Sequence, residues 1–216
     1  MTNEDLMYSS PEDQAFYLKC VEGLPTLAGL NGTGKDEDGI PLPYGCGPHS
    51  VRCLREIVEA VSPKHIMEIG FNMGWSAAMW LELAPNARLV SCDISQKKET
   101  LAAAEMLTIK YKGRFHYFDR EEEDVELAMY ALTKQFDLIF IDGSHLLDDV
   151  VKDIQFAIDV KIPYIAFDDY LPQFGEVQEA IAVFPSVLEL IKVIGNIALY
   201  KNTTIYERVS WDAVYP

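Results

Sequence analysis

Two hydrophobic periods alternate along most of this chain. HIMEIG (65–70), ARLVSCDI (87–94), RFHYFD (114–119), FDLIFID (136–142) and IPYIAFDD (162–169) are short apolar runs of strand length. FDLIFID is almost continuously apolar, as a strand covered on both faces should be. Between them lie stretches with helical spacing at 74–84, 96–111, 121–133, 146–160 and 174–183. In 96–111 the apolar positions are Leu101, Ala104 and Leu107. Upstream, 5–22 carries Leu6, Phe16, Leu18 and Val21. From Ser50 onward Val51, Leu54, Ile57, Val58 and Val61 share one face until Pro63 closes the helix. The tail reads as three strands, VLELIKVIG, NIALYKN and TTIYERV, with turns at Gly195-Asn196 and Asn202-Thr203.

Strand–helix alternation predicts an α/β fold with helices on both faces of a parallel sheet. Strands joined by a short Gly-Asn turn must be antiparallel neighbours. The expected architecture is therefore Rossmann-like and doubly wound, with a mostly parallel seven-stranded sheet that ends in an antiparallel hairpin. Residues 1–62 would supply N-terminal helices and a loop to the same domain, and 63–216 its core. Residues 23–48 are crowded with Gly and Pro and contain KDEDG, so they are expected to be mostly loop. A loop of that length in a compact domain is usually functional or disordered, and a lid over the site is the expectation, with Tyr44 and His49 near it.

Composition narrows the function. In 216 residues, 18 basic and 34 acidic side chains give a formal net charge of −16. Such a surface repels phosphate backbones and anionic lipid, which argues against nucleic acid and membrane as partners. No apolar run approaches the about 20 residues that a membrane helix needs. The first residues, MTNEDLMYSS, are polar and acidic and do not read as a signal peptide. Cys20, Cys46, Cys53 and Cys92 show no CxxC or zinc-type spacing, so they are expected to be reduced packing residues of a cytoplasmic protein.

The candidate chemistry lies at the strand ends. MEIGFNMGWSA puts Glu68 at the end of the first strand, then Gly70 and Gly74, then a helix. Glycines let a chain turn sharply and let a ligand approach its backbone. Asp93 ends the second strand, where doubly wound folds hold a ribose. The spacing is GxxxG, not the GxGxxG of dinucleotide enzymes, which disfavours a dehydrogenase. The ExGxxxG segment followed by Asp93 resembles the cofactor motifs of class I S-adenosylmethionine-dependent methyltransferases. That resemblance implies that Glu68, Gly70, Phe71, Asn72 and Gly74 surround the methionine part of S-adenosyl-L-methionine (SAM). It also implies that Asp93 binds the ribose, Ser76 the cofactor carboxylate and Asp119 the adenine. An acidic run at a helix start is an equally good reading for Asp119.

A second constellation follows. Asp142 ends the fourth strand and Asp168 and Asp169 end the fifth, so a parallel sheet brings all three to one edge. Converging carboxylates repel unless a hard divalent cation neutralises them, and oxygen donors suit Mg²⁺ or Mn²⁺. Helix capping is the alternative role for each. The order of these residues resembles metal-dependent O-methyltransferases of the catechol and macrolide-sugar types, over about residues 64–170. His145 departs from the catechol type, which has a catalytic Lys there, and matches some sugar-modifying enzymes. The resemblance implies methylation of a small hydroxylated acceptor with His145 as general base. Trp75, Tyr170 and Phe174 line an acceptor pocket or belong to the core. A homodimer is compatible with this class. A metal-dependent hydroxylase on the same scaffold stays open as an alternative, although no 2-His-1-carboxylate trio stands out. A SAM-binding protein without catalysis stays open too.

Overall fold

The structure is a computed structural model and describes residues 9–25, 46–95, 97–119, 136–172 and 175–204. Its elements in chain order are α1 (Pro11–Val21), α2 (Pro48–Val61), β1 (His65–Ile69), α3 (Trp75–Leu83), β2 (Arg88–Asp93), α4 (Lys98–Lys110) and β3 (Phe115–Asp119). They continue with β4 (Leu138–Ile141), α5 (Leu147–Asp159), β5 (Tyr164–Phe167), α6 (Gly175–Ala182), β6 (Leu188–Ile194) and β7 (Ile197–Asn202).

The seven strands form one sheet in the order β3-β2-β1-β4-β5-β7-β6. Pairings from β3 to β5 are parallel, and β7 pairs antiparallel with both β5 and β6. This is the mostly parallel, doubly wound sheet with a terminal hairpin that the alternation predicts. The chain leaves β1 toward β2 on one side and β4 on the other. That switch opens a crevice beyond the carboxyl ends of the central strands.

Alternation along the central strands divides the core. Ile66, Leu138 and Phe140 face a layer that includes α1, α2, α3 and α4, centred on Trp80, Leu54 and Leu107. Met67, Ile69, Ile139 and Ile141 face α5 and α6 through Val150, Ile154, Val177 and Ala180. A one-residue slip in any of these strands would exchange the two layers.

The helices depart from the predicted bounds and faces in specific ways. Ser10 has extended backbone, and its hydroxyl accepts from the Asp13 N–H, so the helix starts at Pro11 rather than running on from residue 5. The buried face of α1 is Asp13, Tyr17 and Cys20, whereas Leu18 is exposed. Arg55 of α2 donates to the Asp13 carboxylate at 2.8 Å, which turns a polar position inward. In α4 the buried positions are Thr100, Ala103, Ala104 and Leu107, and Leu101 is exposed. Trp75 is core and packs edge-on against Tyr17. The predicted helix 121–133, residues 5–8 of the first predicted helix, Tyr44, Phe174 and most of TTIYERV lie outside the described residues. Thr203 and Thr204, the start of that last segment, form a turn.

Candidate active site

The ends of β1, β4 and β5 are tied by one ladder that runs past the strands. Asp142 N–H donates to Ile69 O at 2.8 Å, and Asp168 N–H donates to Ile141 O at 3.0 Å. The carboxylates at these ends are therefore placed by backbone pairing and not by loop conformation.

Gly70 continues β1 with φ +96°, and a Cβ there would lie 2.0 Å from the Asp142 carbonyl oxygen. The glycine is thus required by the approach of one strand end to another. Gly74 opens α3 with φ +74°, and a Cβ would meet the Phe71 ring at 2.6 Å. Phe71 itself is buried between Phe115 and Tyr117, so its side chain belongs to the core, and only its backbone is available to a ligand in the turn. Asn72 has φ +46° and donates its N–H to Asp93 Oδ2 at 2.6 Å. Ser95 N–H donates to Asp93 Oδ1 at 2.8 Å. The ends of β1 and β2 are thereby clamped, while each Asp93 oxygen keeps a further lone pair for a ligand hydroxyl. Asp119 is in register beside Asp93; its side chain lies outside the described residues.

Glu68 lies beneath this turn, fully buried. Ser91 donates to its Oε2 at 2.5 Å, and the Ser76 hydroxyl also acts on the carboxylate. Oε1 nevertheless has no hydrogen-bond partner of good geometry. Burial pushes the Glu68 carboxyl up to about 7, against the opposing pull of Ser76 and Ser91. Ser76 is buried and turned to Glu68.

Asp142, Asp168 and Asp169 converge as the topology predicts. Burial, then the charges of Asp168, Glu68 and Asp169, hold the Asp142 carboxyl well above the usual carboxylate range. Asp168 is raised by burial and by Asp169. Asp169 adopts the left-handed region, φ +53°, and its Oδ2 is 2.7 Å from Nε2 of His145. His145 lies in the link before α5, half exposed. The ligand atoms of Asp142, His145 and Asp169 all lie within 4.8 Å of one another. These donors fit a divalent cation: no Lys or Arg pairs with Glu68, Asp142 or Asp168 among the described residues.

Three more residues lie at the site, and of these only His49 was expected near it. Cys46, expected to be only a packing residue, is buried with its Sγ–H directed at Asp142 Oδ2 (3.7 Å) and Asp168 Oδ2 (3.9 Å). Asn196, read only as a turn residue, donates Nδ2 to Asp168 Oδ1 at 2.7 Å and accepts the Tyr170 N–H at its carbonyl. His49, in the first turn of α2, is near enough to Asp169 for that charge to oppose the lowering that burial imposes on its imidazole. The signal for Cys46 and His49 was their position at the end of the Gly/Pro-rich loop. Nothing local marked Asn196.

Residues 67–170 match a family described as a methyltransferase domain. That span runs from β1 through Tyr170 and contains the strand-end residues from Glu68 to Asp169. Among solved structures, it is similar to the SAH-bound methyltransferase PaMTH1 of Podospora anserina, at 17% identity and TM-score 0.61, covering 92% of this chain and 91% of that one. It is also similar to the O-methyltransferase TomG of Streptomyces achromogenes, solved with SAM, at 15% identity and TM-score 0.59, covering 92% and 93%. The O-methyltransferase of Bacillus cereus, solved with SAH, gives 14% identity and TM-score 0.59 over 92% and 94%. At these identities the likeness is one of fold. No helix among the described residues is long and apolar enough to cross a membrane.

Proposed function

We propose that this protein is a SAM-dependent O-methyltransferase that methylates a small hydroxylated acceptor with the aid of a divalent cation. The observation that carries this reading is the meeting of Asp142, Asp168, Asp169 and His145 at the sheet edge that also presents Gly70 and Asp93. The O-methyltransferase relatives of the same fold support it.

In this reading Glu68, the Gly70–Gly74 turn with Phe71 and Asn72, and Ser76 hold the methionine part of SAM. Asp93 takes the ribose hydroxyls and Asp119 the adenine. SAM, when bound, supplies a methyl group on a sulfonium, a good leaving group for in-line displacement. Asp142 and Asp168, with Asp169 beside them, hold the cation, and three carboxylates by themselves suit Mg²⁺ or Mn²⁺. A bound divalent cation favours deprotonation of an acceptor hydroxyl. His145 then takes that proton at its ring, oriented by Asp169 on Nε2. The net charge of −16 favours a small molecule over nucleic acid as acceptor. Residues 1–62 act as part of the same domain, and a cytoplasmic location and a homodimer are compatible with this activity.

The test combines binding and rate. Calorimetry should register SAM binding and no NADH binding. His145→Ala, assayed with the true acceptor, should lose about 10²–10⁴-fold in kcat with SAM affinity little changed. NADH binding without SAM binding would overturn the reading. Wild-type kcat in the variant would make His145 a bystander.

A further inference from the structure

The proposed cation site has a donor that an all-oxygen Mg²⁺ site does not need. Cys46 ends the link into α2, one residue before the Gly47 N-cap, and its side chain is turned into the carboxylates and away from solvent. Its Sγ and one oxygen each of Asp142 and Asp168 lie within 4.8 Å of one another. Metal–sulfur and metal–oxygen bonds of about 2.3 and 2.0–2.2 Å at a tetrahedral angle put ligating S and O atoms about 3.5–3.7 Å apart. The separations here are 3.7 and 3.9 Å, so a few tenths of an ångström close the set around one ion.

Two further observations point to a cation-binding role for this place. Glu68 is fully buried, its charge acts on both Cys46 and Asp142, and its Oε1 is unpartnered. Asp169 pairs with His145, whereas no Lys or Arg among the described residues pairs with Glu68, Asp142 or Asp168. Burying carboxylates without a counter-charge is costly, and a cation between Cys46, Asp142 and Asp168 removes the cost where it is greatest.

We propose that Cys46 is a thiolate ligand of this centre, with Asp142 and Asp168, and that the centre takes a thiophilic divalent ion such as Zn²⁺ or Co²⁺ in preference to Mg²⁺. The inference rests on the reading that a cation is held here, and it names the ion class. Thiolate sulfur selects borderline and soft ions, while Mg²⁺ demands oxygen donors in near-octahedral array. Asp169 then stays with His145, so the proton acceptor and the ion do not compete for one carboxylate.

The test uses the full chain stripped of metal. Titration with Co²⁺ should produce the near-ultraviolet charge-transfer absorption of a thiolate–cobalt bond. Cys46→Ser should abolish that band, and Cys53→Ser should not. Competition dialysis should give Zn²⁺ tighter binding than Mg²⁺, with Cys46→Ser weakening Zn²⁺ at least about 10-fold and sparing Mg²⁺. The cobalt spectrum is read on the unsubstituted protein, so it stands even where a variant folds poorly. Cobalt or magnesium bound without the charge-transfer band would overturn the thiolate ligand and leave an all-carboxylate site standing. Absence of any divalent binding would overturn both this inference and the cation reading beneath it.

Discussion

The two halves of the crevice are built on opposite terms. On the β1–β2 side, polar groups are largely satisfied by nearby protein groups: Asp93 accepts from Asn72 and Ser95, and Ser91 donates to Glu68. On the β4–β5 side, Asp142 and Asp168 act on each other through a side-chain hydrogen bond and charge, and their other partners are Cys46 and Asn196 rather than a full positive charge. Glu68 belongs to the first side by hydrogen bonding and to the second by its unpaired oxygen. The first half is preformed for a ligand. The second stores repulsion that a bound cation would relieve, so binding there should stabilise the fold as well as equip the site.

The largest effect should come from breaking the seam between the halves. Gly70→Ala places a Cβ against the Asp142 carbonyl at a residue with φ +96°. We expect a loss of more than about 4 kcal/mol, or no folded protein at all, in urea unfolding. Wild-type stability would mean that the strand ends do not approach so closely.

The next effect separates the halves by pH. Glu68 has its carboxyl raised from 4.5 to about 7 by burial. Because the folded value lies above the unfolded one, its contribution is fully present below about pH 4.5 and is lost as pH rises toward about 7. The raised Asp142 and Asp168 act in the same direction. Ligand-free protein should therefore lose up to about 3 kcal/mol from Glu68 over that window, and Glu68→Gln should flatten the slope. An unchanged slope in the variant would place the titrating strain elsewhere.

Metal removal sharpens the comparison further. A divalent ion at about 100 times its Kd should add about 2.7 kcal/mol of stability, visible as a higher Tm that a chelator reverses. Asp168→Asn should cancel most of this gain. An equal gain in that variant would mean that the ion binds outside the carboxylate cluster.

The smallest effect belongs to the preformed half. Asp93→Ala should cost about 1.5–3 kcal/mol of SAM binding, roughly a 10- to 150-fold rise in Kd by calorimetry. Metal affinity should hardly change, since Asp93 lies on the other side of β1 from the carboxylates. Coupled losses in both would show that the halves are one unit.

Legibility in the sequence followed the range of the interactions. Strand ends were readable because a buried parallel strand is a short apolar run, and the first polar residue after it marks the edge. Glu68, Asp93, Asp142, Asp168 and Asp169 all stand at or just beyond such runs. Helix faces were less readable. Leu18 and Leu101 are apolar yet exposed, because Tyr17, Cys20, Ala103 and Thr100 fit the neighbouring surfaces instead. Phe71 sits inside the glycine-flanked turn but turns into the core because Gly74 leaves room for its ring.

By itself the sequence determined the alternation of strands and helices, the terminal hairpin and the edge where five acidic residues gather. Local periodicity and parallel pairing suffice for these. Only the tertiary structure decided that β7 inserts beside β5, which brings Asn196 onto Asp168. It also decided that the start of α2 folds over the sheet edge, which turns Cys46 from a packing residue into a neighbour of two carboxylates. Those contacts join residues 28, 96 and 122 positions apart. No periodicity reports a pairing at such separations; it exists only once the sheet order and the packing of the helices have placed both partners.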